Sequence, residues 1–496
     1  MPTDGCHSSL TENQAHHGTG KEFIKGRRCM YIFLQSSELA VDLCDVALVT
    51  IDALPDLALL TIFDFYMDKK KIETWQTLVH VCRKWRNVVF GSPRRLKLRL
   101  RCNARTLMRR KLDVWPLLPI VIRSGAYEEW GVDYLIRALG EHNDRVCGID
   151  LHWVSREVIA AMQQPFPALT RLRLQQGYKP APVVSALFLG GSVPGLQSLV
   201  LRNIPFPGLP KLVLSATHLV NLQLLDIPHS GYFSPEAMAT SLSALTRLKK
   251  FRISFQSHQS HLGMKSQCPF LQTRALLPAL TELWFGGVHE YFEDLVAQID
   301  VPLLNKLCIS FSTFHTPQLI PFISRIPKSK AYNEANILFS NEDVKIRFQR
   351  TFGGAGGLEI LCEEPDRQRP WMARLCRSSL PQALILMVEH LYILHGPDPL
   401  NWDHLDDETE NDRWLELLSP FTSVKCLYIQ EAFDDDLTPV LQGLVGERVS
   451  EVLPALQTLF LEDPREDGRF REAIETFVSA RQLSGHPIVV SHWDGE

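Results

Sequence analysis

Cysteine, histidine and carboxylate side chains could carry chemistry in this chain, and their spacing assembles no reaction centre. Cys82 lies in Val81-Cys82-Arg83-Lys84-Trp85-Arg86 with no activating base beside it, and reads as a small thiol suited to packing. His258 and His261 stand three apart in a Gln/Ser run with no Cys or acid near them, the pattern of a polar loop. The acidic stretch from Asp403 to Asp412 lacks the Asp-x-Asp-x-Asp-Gly spacing of a calcium loop and reads as solvated surface. Phe352-Gly353-Gly354-Ala355-Gly356-Gly357 fits neither G-x-G-x-x-G nor a P-loop, and reads as a plain loop. No Gly-x-Ser-x-Gly elbow and no His-Glu-x-x-His occurs. The expectation is a protein with no catalysis, cofactor or metal of its own.

Binding chemistry is more legible, and it depends on a repeat. An apolar residue, two variable residues, an apolar residue, one variable residue and an apolar residue recur as Val146-Ile149-Leu151, Leu169-Leu172-Leu174, Leu196-Leu199-Leu201, Leu222-Leu225-Ile227, Leu248-Phe251-Ile253, Leu280-Leu283-Phe285 and Leu304-Leu307-Ile309. The unit returns as Val388-Leu391-Ile393, Val424-Leu427-Ile429 and Leu456-Leu459-Leu461, often with a Pro just upstream. Alternation along a strand turns the apolar residues inward and the variable one to the opposite face. That face then carries Arg173, Val200, Asp226, Arg252, Trp284, Cys308, Tyr392, Tyr428 and Phe460. Its early part is mixed and charged. Its later part offers Trp284, Tyr392, Tyr428 and Phe460, either as anchors for a bound partner or as a floor covered by a loop or tail.

The repeat resembles a leucine-rich repeat. Each strand-plus-helix unit of such a fold buries its apolar face against its neighbours, which implies an α/β solenoid with a parallel inner sheet. A compact α/β domain would not impose one motif so many times. The Asn that usually follows the repeat strand is missing, Asn203 standing one place early, so turn geometry must come from other contacts and the repeats should be irregular. Segments 234–245 and 290–299 fit intervening helices, Ser234-Pro235-Glu236 marking a helix start. The gap between Leu304 and Val388 leaves room for two divergent units, with 335–339 and 357–361 as their strands.

Composition frames this. The chain has 496 residues, is 45% hydrophobic and carries a formal net charge of −4, which argues against bulk nucleic-acid binding. Its 11 cysteines show no Cys-x-x-Cys, a usage that fits reduced thiols in the cytosol or nucleus. No signal peptide is visible, and the longest uncharged run, 180–201, is broken by Pro and Gly, so no membrane helix is expected. Nine Lys/Arg fall between Arg94 and Lys111. Arg95-Leu96-Lys97-Leu98-Arg99-Leu100-Arg101 alternates with period two and predicts a strand with one buried face, its basic side a solvated face or a patch for an acidic partner or nucleic acid.

One stretch before the repeats has too much apolar surface for its length. Leu59, Ile62, Phe63 and Tyr66 recur at helical spacing, as do Trp75, Leu78, Val81, Cys82, Trp85 and Val89, and Gly91-Ser92-Pro93 ends the pattern. Short helices cannot bury such side chains alone. Leu54-Pro55, Ile62-Phe63 and Val81-Cys82-Arg83-Lys84-Trp85-Arg86 together resemble the F-box, of the kind found in large fungal-type families that pair it with divergent leucine-rich repeats. Leu57 departs from that pattern, which carries an acid two places after the Pro. The resemblance implies docking on the Skp adaptor of a cullin–RING (SCF) ubiquitin ligase through Leu54, Pro55, Leu59, Ile62, Phe63, Val81, Cys82 and Trp85. It implies a substrate adaptor rather than an enzyme, with an unidentified protein target and neither a membrane nor a nucleic-acid partner. The expected domains are a disordered tail over 1–47, an F-box over 48–92 and the solenoid over 93–493.

Overall fold

The computed structural model describes residues 51–68, 74–102, 117–124, 132–177, 180–256, 274–311, 319–326, 331–340, 343–350, 356–362, 372–396, 407–444, 448–462 and 468–494. The expected tail, His258, His261, Gly353 and Asp403 lie outside them. Contacts divide the chain into Met1–Pro55 and Asp56–Glu496. In the first unit Ile51–Ala53 forms a 3-10 turn, which the Leu54 N–H closes on the Ile51 carbonyl at 3.3 Å.

The second unit begins with three helices, α1 (Asp56–Asp68), α2 (Trp75–Val79) and α3 (Arg83–Gly91). Asp56 opens α1, where an acid favours the helix dipole. The Cys82 thiol caps α3 by accepting from the Trp85 N–H at 3.4 Å. Trp85 packs on Phe63 with centroids 4.8 Å apart, and fully buried Trp75 lies 5.9 Å from Phe90.

Sixteen strands then form one sheet. In the chain they are β1 (Leu100–Cys102), β2 (Ile120–Arg123), β3 (Val146–His152), β4 (Arg171–Gln175), β5 (Ser198–Arg202), β6 (Asn221–Ile227), β7 (Lys250–Phe255), β9 (Glu282–Gly287) and β11 (Lys306–Phe311). They continue as β12 (Glu334–Phe339), β13 (Val344–Gln349), β14 (Gly357–Cys362), β15 (His390–His395), β16 (Cys426–Ile429), β17 (Thr458–Glu462) and β18 (Val489–Trp493). Two further short strands, β8 (Ala275–Leu276) and β10 (Ile299–Asp300), pair with each other. From β1 to β11 every ladder of the main sheet is parallel. Leu172, Leu199, Leu222, Phe251, Leu283 and Leu307 occupy one rung on successive strands, each nearly or fully buried. Burial of each such side chain is worth about 1.5–3 kcal/mol. This is a leucine-rich-repeat-like solenoid, with a helix or irregular return between strands. Ser234 caps the helix Pro235–Ser243 by accepting from the Ala237 N–H at 3.3 Å, and His289–Gln298 is helical, as their sequences suggested.

Four local expectations change. Only Leu100–Cys102 of the basic stretch is strand. Residues 93–97 form a turn with Lys97 at φ 48°, although Leu96, Leu98 and Leu100 are buried in alternation as expected. In the fourth repeat Leu222 pairs with Leu199 and Leu224 with Leu201, so Gln223 holds the place assigned to Asp226. Two overlapping apolar frames exist in Leu222-Gln223-Leu224-Leu225-Asp226-Ile227, and stacking selects the one in register with β5. Asp226 falls instead in a bulge at φ 53°. Third, Ala335–Phe339 and Gly357–Leu361 are strands, but β13 between them was unforeseen. It runs antiparallel to both, and the sheet order becomes β11-β14-β13-β12-β15. Gly357 is therefore strand rather than loop. A Cβ there would lie 2.8 Å from the Phe348 carbonyl oxygen, so a side chain at this position would push β13 and β14 apart. Last, β18 adds a strand after the final expected repeat, parallel to β17.

The missing Asn is replaced piecemeal. Asn203, at φ 54°, donates to the Gly177 carbonyl at 2.8 Å and so bridges two turns after all. Elsewhere Gln176 accepts from the Val154 N–H at 2.8 Å, Ser124 accepts from the His152 N–H at 2.9 Å, and Ser254 accepts from the Asp226 N–H at 2.8 Å. Each satisfies a backbone group that would otherwise be stranded between turns.

Candidate functional site

The inner face is built by alternation. Residues between the buried apolar positions form one continuous row: Arg123, Asp150, Arg173, Val200, Gln223, Arg252, Trp284 and Cys308 on β2 to β11. It crosses the antiparallel insertion as Glu359, Arg347 and Asn336, then continues as Tyr392, Tyr428 and Phe460. The two parts differ in chemistry.

In the first part ion pairs dominate. Arg123 Nε lies 3.1 Å and Arg173 Nε 3.9 Å from the Asp150 carboxylate, and Arg202 Nε donates to Asp226 at 2.7 Å. Burial lowers the pKa of Arg171, and the neighbouring cation Arg99 adds to the effect. A cleft of about 710 Å³ opens at the C-terminal ends of these strands, lined among others by His152, Trp153, Arg202, Asp226 and Trp284. Trp153, Asn203 and Asp226 all hold φ between 53° and 67° along it. Non-glycine residues in that region carry strain, and such strain concentrates at functional sites. Trp153 folds onto Gly177, where a Cβ would lie 2.2 Å from its ring. Cys308, beyond Trp284, is inert: burial pushes its thiol up to about 12, helped by the Glu359 carboxylate.

In the second part three rings stack. Tyr392 and Tyr428 are 4.1 Å apart and nearly coplanar at 10°, and Tyr428 and Phe460 are 4.4 Å apart at 4°. All three are half-buried. Trp493 of β18 stands edge-on to the tyrosines, 5.9 Å from Tyr392 and 5.6 Å from Tyr428. His390 Nδ1 lies 3.4 Å from the Tyr428 hydroxyl. Burial raises both phenols above their ordinary range, and each feels the other.

Tyr392, Tyr428 and Phe460 are thus brought together as the sequence suggested, and Trp284 is not. Five strand steps separate β9 from β15, roughly 24 Å at the usual inter-strand spacing. A partner touching both Trp284 and Tyr392 would have to span that distance. The three rings remain half-exposed, with Trp493 against one edge of the stack. Trp493 and Trp153 escaped sequence reading because neither occupies the variable place of a recognised repeat.

The expected adaptor residues separate by exposure. Leu59 and Phe63 are fully buried and belong to the helices' own core, Cys82 is a helix cap, and Trp85 packs on Phe63. Ile62 and Val81 are 46% and 55% exposed, Pro55 is exposed and Leu54 is half-buried. Leu57, where an acid was expected, is 66% exposed.

Among the described residues no group of three His, Cys, Asp or Glu is placed to hold a metal, no disulfide joins cysteines, and no helix is long and apolar enough to cross a membrane. No protein-family model and no curated protein matches the chain. Among solved structures it is similar to a leucine-rich repeat-containing protein, LegL7 from Legionella pneumophila, at 13% identity over 71% of this chain and 94% of that one, with a TM-score of 0.26. At that score the likeness says nothing of function, and the repeat fold rests on the strand register.

Proposed function

We propose that this chain is the substrate-recognition subunit of an SCF ubiquitin ligase, its helices docking on the Skp adaptor and its inner face holding a target protein. The observation that carries the reading is α1. It is apolar on nearly all sides, with Leu59, Leu60 and Phe63 turned into the core while Leu57 and Ile62 face outward, and Val81 between α2 and α3 is exposed as well. A helix of that composition is normally covered all round, and the F-box resemblance of 54–86 supplies the cover. Ubiquitin transfer would be performed by the partner enzyme, with the gain coming from proximity, since a held target raises the effective concentration of its lysines. Such a protein works in the cytoplasm or nucleus.

Affinity capture of the full chain from cells, compared with Ile62→Glu/Val81→Glu, tests this. Adaptor and cullin should accompany the parent and vanish from the variant. Their absence from the parent at micromolar concentration would leave a second reading, an interaction scaffold whose helices merely cap the solenoid. One contact favours that reading: Trp75 Nε1 donates to the Arg99 carbonyl at 3.0 Å, tying α2 to the start of the sheet.

Target capture is assigned to the inner face. Alanine at both Trp284 and Tyr392 should abolish it and leave adaptor binding intact, and unchanged capture would sink that assignment. A nucleic-acid role for Arg94–Lys111 would need binding whose salt dependence falls when Arg99, Arg101 and Arg105 are replaced. Residues 103–111 lie outside the described structure.

A further inference from the structure

The inner face of β2 to β9 has a charge opposite to that of the chain. The whole sequence carries a net −4. Yet Arg123, Arg173 and Arg252 share one rung of this face, and Arg171 and Arg202 stand two residues to either side of it, on the same face by alternation. Asp150 and Asp226 answer them only in part, and Glu282 is taken up by Lys250 at 2.7 Å. One carboxylate, Asp150, serves both Arg123 and Arg173, whose side chains remain 44% and 49% exposed. Arg202 is 55% exposed beside Asp226. The cations also crowd one another, since Arg99 and Arg123 both disfavour the charged form of Arg171. An incoming anion relieves that crowding.

We propose that this half of the inner face binds an acidic segment of a partner protein, its anionic side chains pairing with the arginines and one end lying in the cleft beside Trp284. The proposal rests on the reading that the inner face captures a protein target. Guanidinium forks suit carboxylate and phosphate alike, through paired hydrogen bonds. The interspersed Asp150, Asp226 and Glu282 disfavour a nucleic-acid backbone, whose charge is evenly spaced and cannot avoid them. A peptide places its charges discretely, and its amides find partners in side chains such as Gln175 and Gln256 along the cleft.

The test is fluorescence anisotropy of the full chain with a labelled peptide of alternating Glu and Gly. Parallel arms carry Lys or phosphoserine in place of Glu, and a labelled oligothymidylate. The Glu or phosphoserine peptide should bind and the Lys peptide should not, the tighter of the first two naming the source of the anion. Arg171→Gln/Arg252→Gln should weaken binding by about tenfold or more and flatten its salt dependence. Trp284→Ala should weaken it without changing the salt dependence, and Lys425→Gln should have no effect. Thermal melts establish that each variant is folded. Equal binding of the Glu and Lys peptides, tighter binding of oligothymidylate than of both anionic peptides, or a folded arginine variant that binds as the parent does would each overturn the proposal. Adaptor binding is read through Ile62 and Val81, which these variants leave alone, so failure of the ligase reading registers separately.

Discussion

The two parallel stretches of the sheet share one backbone plan and present opposite surfaces. From β2 to β9 the inner face is rich in basic residues and carboxylates, with ion pairs of 2.7 to 3.9 Å between several neighbouring strands. From β15 to β17 it is Tyr392, Tyr428 and Phe460, stacked at 4.1 and 4.4 Å. Between them sits the only antiparallel hairpin region of the described sheet, crossed by the Arg347–Glu359 pair at 2.7 Å. Because buried leucine, isoleucine and phenylalanine rows carry both stretches, the inner row is relieved of core duty. The fold fixes where that row lies, and its residues are then open to binding chemistry of either kind.

The comparison can be broken most severely from the C-terminal side. Arg481 is fully buried and, among the described residues, forms no ion pair with a carboxylate; it donates to the Val449 carbonyl at 2.9 Å and the Leu456 carbonyl at 3.0 Å. Arg481→Ala strands both carbonyls and opens a cavity, at an expected cost of about 3–5 kcal/mol. Solenoid units feel chiefly their neighbours. Amide exchange should therefore speed up across β15 to β18 while β3 to β6 stay protected, and uniform loss of protection would show the two stretches to be one cooperative unit.

A comparable loss can be aimed at the other side. Leu199, 1% exposed on the β5 rung, should cost about 2–5 kcal/mol as Leu199→Ala in denaturant unfolding. Asn203→Ala removes the bridge to Gly177 and leaves a strained φ without its supporting bond, an expected loss of about 1–2 kcal/mol. A loss no larger than that of an exposed loop substitution would mean the turn stands without it.

Alkali, combined with one substitution, separates the stretches. Tyr392 and Tyr428 have phenols raised from the ordinary 10.0 by burial. A raised folded value means the stabilising protonated form is fully present below pH about 10 and its contribution is lost as pH climbs from there toward the folded value. Protection should fall above that pH in β15 to β17 and around β7 and β9, where burial also raises Tyr232 and Tyr291, and Tyr392→Phe should delay the loss in β15 to β17 alone. The smallest effect belongs to the exposed Lys425–Glu389 pair at 2.7 Å, where Lys425→Gln should cost under about 1 kcal/mol.

Much of this comparison is legible in the sequence. The apolar triplets place the rungs, and the variable residue after each second apolar position names the charged-to-aromatic succession. What sequence hides is register and reversal. Leu222 to Ile227 admits two frames, and only stacking on β5 chooses Gln223 over Asp226 for the row. Val344–Gln349 alternates cleanly enough for a strand, yet alternation is the same for either direction and does not reveal the antiparallel pairing with β12 and β14. The separation of Trp284 from Tyr392 follows from that pairing. In the helices, spacing identifies the apolar residues but cannot say which face the core: Leu59 and Phe63 turned inward, Ile62 and Val81 outward.

The central claim is that attachment and capture occupy separate surfaces. A calorimetric titration of purified Skp adaptor into the full chain tests it most directly. Binding is expected to the parent and to Arg171→Gln/Arg252→Gln/Trp284→Ala with one affinity, and its loss in Ile62→Glu/Val81→Glu with the melting temperature unchanged. Adaptor binding that survives Ile62→Glu/Val81→Glu, or that fails in the inner-face variant, would contradict it.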